Sequence, residues 1–285
     1  MEINYKPGYE KNIMFENGEL PYFHYPLLDK TGIVRHLFTT RLGGMSTGAQ
    51  ESLNLSFTQG NEPDAVKENF ARVAKTLGVE CKDLVFSMQT HTTNVQKVGK
   101  EQAGRGITKD LDIKDIDGMV TNEPGIVLCT FYADCVPLYF VDPVKKAIGL
   151  CHSGWRGTVG RIGQNIIDLM TEEYGTNPGD LITAIGPSIC QDCYEVSEDV
   201  ALEFEKEFFK SKNLGVKSDL MYKKPDGKYQ LNLWEANKIV LLDAGVKEEN
   251  IALPQVCTCC NPTVFFSHRA SNGKRGNLGA FLGLR

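Results

Sequence analysis

Short apolar runs rich in Val, Ile and Phe recur along this chain without a regular strand–helix–strand rhythm, and that irregularity most constrains its fold. Runs of this length between turn-forming residues read as β-strands. They fall at Ile33–Thr39, Leu84–Met88, Val95–Val98, Ile126–Phe131, Leu138–Val141, Ile148–Cys151, Ile182–Ile185 and Val264–Phe266. Asp142-Pro143 between two of them predicts a tight hairpin, hence some antiparallel pairing. A helix starts near Pro63, aligns Val66, Phe70, Val73 and Leu77 on one face, and stops at Gly78. A second runs from about Thr158 to Tyr174 with Ile162, Ile166, Leu169 and Met170 inward. A third starts at Ser197 and carries Val200, Phe204 and Phe208, and a fourth spans Leu233 to Ala244 before Gly245. The expectation is an α+β fold: a mixed sheet, or two stacked sheets, with helices outside.

The 285 residues suffice for a sizeable core. With no internal repeat or low-complexity linker, they read as one unit over 1–285. KPDGK at 224–228 reads as a turn, and the charged segments 100–117 and 205–228 as surface excursions. Lys+Arg number 31 against Asp+Glu 36, a net charge of −5, which argues against nucleic acid as a partner. The N-terminal MEINYKPGYEKN lacks a signal-peptide core, and no apolar run approaches the roughly 18 residues a membrane span needs. A cytoplasmic location is expected. There, nine cysteines serve as core residues, metal ligands or catalytic groups more often than as disulfides.

Unusual residues gather at strand ends: His91 after Met88, Cys135 after the run ending at Phe131, and His152 after Ile148–Cys151. Two His and one Cys form a three-ligand catalytic zinc set with the fourth position left for water or substrate. Their wide spacing leaves open a plainer reading, with Cys135 in the core and the histidines in ordinary loops. A third reading makes Cys135 a nucleophile with His152 or His91 as base, giving a hydrolase or amidase. A fourth keeps the fold as a non-catalytic binding module.

Phe38-Thr39-Thr40-Arg41-Leu42-Gly43-Gly44-Met45-Ser46, Gln89-Thr90-His91 and Asp117-Gly118-Met119-Val120-Thr121 occur in this order. They are followed by Ala133-Asp134-Cys135-Val136-Pro137, Cys151-His152-Ser153-Gly154-Trp155-Arg156-Gly157, Ile185-Gly186-Pro187 and Phe265-Phe266-Ser267-His268-Arg269. The series resembles the laccase-domain family, also called the multicopper polyphenol oxidase or purine nucleoside phosphorylase family, from about residue 33 to the end. The resemblance implies an α/β/β/α sandwich and zinc on His91, Cys135 and His152. It implies phosphorolysis of adenosine, inosine and methylthioadenosine, and deamination of adenosine, so the partners are a nucleoside and phosphate. Some members are implicated in trimming wrongly built peptidoglycan precursors, which keeps the amidase reading open. His268 stands where members often have Tyr.

The oxidase label can be tested by counting. A multicopper oxidase in one chain needs about ten histidines for its blue-copper and trinuclear sites, and this chain has five. One Cu2+ on the zinc ligands is still compatible with the donor set.

Arg41 beside Gly43-Gly44, and Arg156 before a helix, are candidate grips for phosphate or ribose. Alternatively they make structural pairs with Asp134 or backbone carbonyls. Asn54 is a pocket residue or a turn asparagine, and Trp155 stacks on a base or packs in the core. Asp134 orients a histidine or caps a turn. Cys190-x-x-Cys193 and Cys257-x-Cys259-Cys260 raise a second metal or redox site, although no helix starts between Cys190 and Cys193 as thioredoxin-like chemistry requires.

Overall fold

The computed structural model describes residues 2–7, 12–60 and 62–285; of the N-terminal stretch read above, residues 1 and 8–11 lie outside them. Two six-stranded sheets carry the architecture. The first has the order β1 (Met14–Glu16), β2 (Tyr22–His24), β3 (Val34–Thr39), β15 (Leu278–Leu284), β7 (Val127–Tyr132), β4 (Leu84–Phe86). The second has the order β14 (Ile251–Ala252), β10 (Ile182–Ile185), β8 (Val136–Asp142), β9 (Ala147–Ser153), β6 (Gly118–Thr121), β5 (Val95–Lys97). A small third sheet joins β11 (Glu195–Val196), β13 (Tyr229–Leu231) and β12 (Met221–Lys223). Pairing is antiparallel except for β4 with β7, β5 with β6 and β10 with β14. The helices are α1 (Pro26–Asp29), α2 (Pro63–Leu77), α3 (Trp155–Val159), α4 (Ile162–Tyr174), α5 (Glu198–Phe208), α6 (Lys217–Leu220) and α7 (Leu233–Asp243).

Alternation along the strands builds four layers. Successive strand side chains point to opposite faces. Phe38, Leu128 and Leu282 of the first sheet therefore meet Tyr139, Ile148 and Leu150 of the second in a shared inner core. Their sequence neighbours face outward. Leu37, Cys129 and Phe281 pack under Val66, Phe70 and Val73 of α2. Leu138, Phe140 and Cys151 pack under Ile166, Phe204 and Val240 of α4, α5 and α7. Each such side chain contributes about 1.5–3 kcal/mol when fully buried. Two tyrosines cross the inner layer with their polar ends satisfied: Tyr139 Oη donates to the Leu37 carbonyl at 3.0 Å, and Tyr132 Oη to the Cys151 carbonyl at 3.0 Å. The result is the α/β/β/α sandwich.

The Asp142-Pro143 hairpin joins β8 to β9 as expected, with Asp142 opposite Ala147. Gly78 ends α2 in the left-handed conformation. Val264–Phe266 is not a strand. The amides of Val264 and Phe265 both donate to the Asn261 carbonyl at 3.0 Å, which winds the segment into a turn while Phe265 and Phe266 stay buried. The expected second helix begins earlier, at Trp155, and breaks at Gly160-Arg161, where Arg161 sits at φ 56°. Inside the helices, Ile167 and Ala201 are buried where Leu169 and Val200 were expected. The segment 205–228 is not wholly superficial, since it buries Phe208 and Leu220.

Gly118 and Gly149 lie on β6 and β9 beneath α4. A Cβ on Gly118 would stand 2.8 Å from Cys151 Cβ and 2.9 Å from Ile166 Cδ1; one on Gly149 would stand 2.8 Å from Ile166 Cγ2. Their bareness lets α4 settle on the sheet. Gly118→Ala should therefore overpack this seam and cost about 1–3 kcal/mol, read as a lower urea midpoint. Gly18→Ala, whose Cβ would meet nothing within 4 Å, is the control that should not destabilise. Equal midpoints for the two variants would refute this account of the seam.

Candidate active site

His91, Cys135 and His152 come from three separate chain segments and converge. Their donor atoms all lie within 4.8 Å of one another. His152 is the penultimate residue of β9 and is buried. Cys135 immediately precedes β8, the hairpin partner of β9. His91 lies in the loop after β4 and is exposed. The His91 and His152 rings meet edge to face at 4.8 Å between centroids. Gly154 lets them close up, since a Cβ there would stand 3.1 Å from His91 Cδ2 and 3.2 Å from Cys135 Sγ. His91 at φ 64° and Asp134 at φ 86° hold left-handed backbone. Non-glycine residues rarely adopt it, and they do so chiefly where surrounding structure enforces it.

At His91 the enforcing group is Asp117, whose carboxylate is fully buried. It accepts from the amides of Thr90, His91 and Thr92 at 3.1, 3.1 and 2.9 Å, and from Thr92 Oγ1 at 3.0 Å. His152 Nδ1 lies 2.9 Å from Asp117 Oδ1. Asp117 thus shapes the His91 loop and orients the His152 ring in one stroke. A carboxylate accepts, so His152 Nδ1 donates to it and Nε2 is the nitrogen left to the cluster. Burial works against ionisation of Asp117, but His152 and the loop donors outweigh it and hold the carboxyl at about 2. Burial likewise opposes the Cys135 thiolate, yet the adjoining imidazoles, His152 foremost, bring the thiol down to about 6. Against its own burial, Cys135 and Asp117 raise His152 to about 9. The cysteine is poised in the form that ligates metal.

The donor set fits a divalent, moderately soft metal: two imidazoles and a thiolate, with one imidazole braced by a buried carboxylate. The trio opens onto a cavity of about 380 Å³, a size suited to a small organic ligand. Phe86, Phe131 and Leu111 form an apolar wall, with Phe86 and Phe131 edge to face at 4.9 Å. Gln89 fixes that wall, exchanging two hydrogen bonds with the Phe131 backbone at 2.7 and 3.0 Å. Ser56, Thr58, Asn277 and Arg275 supply the polar side. Arg275 hydrogen-bonds Asn277, while its buried Nε has no hydrogen-bond partner among the described residues.

Arg41, Asn54 and Arg156 do not line this cavity. Arg41 donates to the Pro262 carbonyl at 3.1 Å and lies over the Phe266 ring. Asn54 is buried and saturated: it donates to the carbonyls of Ser56 and Gln59 and accepts from the amides of Ser56 and Asn277. It organises two cavity loops from behind. Arg156 stacks on Trp155, which packs against the outer core. Asp134 does not touch a histidine; it accepts from Thr258 Oγ1 at 2.6 Å and the Arg269 amide at 2.7 Å. The orienting role belongs to Asp117, at the head of its sequence block. Arg275, in Lys274-Arg275-Gly276, carries no local pattern that would single it out.

Asp117→Asn keeps the shape but replaces one acceptor oxygen with a donor facing backbone amides. Its divalent-metal affinity should fall about 10- to 100-fold, measured by competition against a chromophoric chelator. Unchanged affinity would show that the carboxylate shapes the loop without supporting the ligands.

The sequence model described as multi-copper polyphenol oxidoreductase laccase matches residues 35–285. The purine nucleoside phosphorylase YlmD of Bacillus subtilis is 37% identical over 250 residues, covering 87% of each chain. The adenosine deaminase RL5 from an unknown prokaryotic organism is 36% identical over 233 residues, covering 81% of this chain and 86% of that one. The crystal structure of YlmD from Geobacillus stearothermophilus superposes with a TM-score of 0.86 at 34% identity, covering 95% of this chain and 98% of the other. With its sandwich fold, its three converging ligand candidates and these likenesses, the chain belongs to the multi-copper polyphenol oxidoreductase laccase family.

Proposed function

We propose that this protein is a zinc-dependent purine nucleoside phosphorylase that takes adenosine, inosine and methylthioadenosine, and that it also deaminates adenosine. The observation that carries the reading is the juxtaposition of the His91, Cys135 and His152 cluster with an aromatic-walled cavity containing a half-buried arginine. Relatives named purine nucleoside phosphorylase and adenosine deaminase support it. In this reading His91, Cys135 and His152 are the catalytic and metal-holding residues, and the partners are a nucleoside and phosphate. Zinc, when bound, supplies Lewis acidity toward the charge that develops as the purine or ammonia leaves.

The protein's own groups do the rest. The Phe86 and Phe131 wall offers a face for the flat purine. Asp117 keeps His152 Nδ1 protonated, so the ring cannot turn its other edge to the site. Arg275 presents a buried Nε–H without a partner among the described residues, and a guanidinium in such a setting holds phosphate strongly. Burial lowers its pKa, but the charges of Cys135 and Asp134 act in the opposite sense. Arg275 therefore takes the phosphate role in place of Arg41 and Arg156.

Copper fits the same three ligands, but the oxidase reading lacks the histidines. His24 and His36, on β2 and β3 of the first sheet, lie beside Asp29, and His268 is exposed. Among the described residues no helix is long and apolar enough to cross a membrane. A cytoplasmic site of action accords with the substrates proposed.

The test is a nucleoside panel with and without phosphate on protein of known metal content. Inosine cleavage should require phosphate, vanish on chelation and return with zinc. Turnover by rigorously metal-free protein would overturn the zinc reading in favour of Cys135 as a nucleophile. Arg275→Ala should raise the phosphate KM about 10- to 100-fold, the worth of a lost charge-assisted contact, with zinc content unchanged. An unaltered phosphate KM would remove Arg275 from the site.

A further inference from the structure

Away from the cavity, four cysteines meet. Cys190 follows β10, and Cys193 ends the short 3-10 turn Gln191–Cys193. Cys257 and Cys260 lie beyond β14, the parallel neighbour of β10, and the two strand extensions stay in register through Ser188 and Cys257. The sequence therefore contains two Cys-x-x-Cys turns side by side. All four Sγ atoms lie within 4.8 Å of one another. Cys193 and Cys260 are 3.4 Å apart, and Cys190 and Cys260 are 4.0 Å apart. Tetrahedral zinc with Zn–S bonds near 2.3 Å requires about 3.8 Å between sulfurs, a value these separations bracket. A disulfide would demand about 2.05 Å.

The polar surroundings suit thiolates. The amides of Cys190 and Cys260 both donate to Cys257 Sγ, at 3.3 and 3.4 Å. Cys190 and Cys257 are buried, and Cys193 and Cys260 half-buried. The N-terminal segment covers the cluster: Tyr5 pairs with Val256, the Lys6 amide donates to the Gln255 carbonyl, and Lys6 Nζ reaches Asp192 at 2.8 Å. None of the four lines the cavity.

We propose that Cys190, Cys193, Cys257 and Cys260 form a second, structural zinc site that staples the β10 and β14 loops. Four sulfur donors and no open position match closed, non-catalytic zinc. Each thiol releases its proton to solvent as its Zn–S bond forms, so no oxidant is required. The staple bears on the active site through Asp134. Thr258, next to Cys257, and the Arg269 amide both bind that carboxylate, and Asp134 directly precedes Cys135. Arg269 also donates to the carbonyls of Cys193 and Glu195 at 3.1 and 3.0 Å, closing the connection.

The experiment separates the two sites. His91→Ala/Cys135→Ala, which disables the cavity cluster, should retain one zinc per chain after desalting. Replacement of that zinc by Co2+ should give the intense thiolate charge-transfer absorption of a tetrahedral sulfur site. Cys193→Ser/Cys260→Ser should lose that absorption, with zinc falling by one per chain relative to wild type. If the serine variant does not fold, the cobalt spectrum of the first variant still decides. A first variant with neither zinc nor the tetrathiolate spectrum would overturn the proposal. So would thiol titration of denatured wild type showing two or four of the nine thiols missing as disulfides.

Discussion

Everything at the candidate site depends on one buried carboxylate. Asp117 holds five donors from two segments. A buried ionised carboxylate is costly unless its lone pairs are filled. Here the loop around His91 fills them and takes its left-handed turn in doing so. The same carboxylate sets the tautomer of His152. Ligand placement and loop conformation are thus a single electrostatic solution.

The sandwich makes that solution available. β6, β8 and β9 are adjacent in the second sheet, so Asp117 before β6, Cys135 before β8 and His152 near the end of β9 reach the same sheet end. Antiparallel pairing puts the start of one strand beside the end of the next. The first sheet contributes the cavity's apolar wall, because β4 and β7 run parallel and release Phe86 and Phe131 next to one another. Cys135 and His152 belong to the second sheet, His91 to the loop that leaves β4, and the apolar face to the first sheet, and the cavity lies where they meet.

The two cysteine-containing clusters share a neighbourhood but differ in chemistry. Around Cys135, two imidazoles and one sulfur would leave a position open on a bound metal. Around Cys190, four sulfurs would leave none. Asp134 stands between them, with its backbone next to Cys135 and its side chain bonded to the loop that follows Cys257. Strain in the loop at Asp134 is therefore borne by contacts distant in sequence.

The sequence by itself determined the positions of most outer helices and the β8–β9 hairpin, and through its family resemblance it singled out His91, Cys135 and His152 as ligand candidates. Their signals are local: Pro63 and Gly78 bound a helix, Asp142-Pro143 turns a chain, and the ligand candidates sit in distinctive blocks. β15 escaped notice because Gly279 and Gly283 interrupt a strand buried on both faces, where no polar alternation marks it. Val264–Phe266 misled in the opposite sense, being apolar enough for a strand but wound into a turn by Asn261. Only the tertiary structure decided that Asp117 rather than Asp134 braces His152, that Arg275 rather than Arg41 or Arg156 faces the cavity, and that Asn54 works from behind it. The physical reason is the same in each case. The partners are far apart in sequence, and which polar group is buried beside which is settled only when the sheets close on one another.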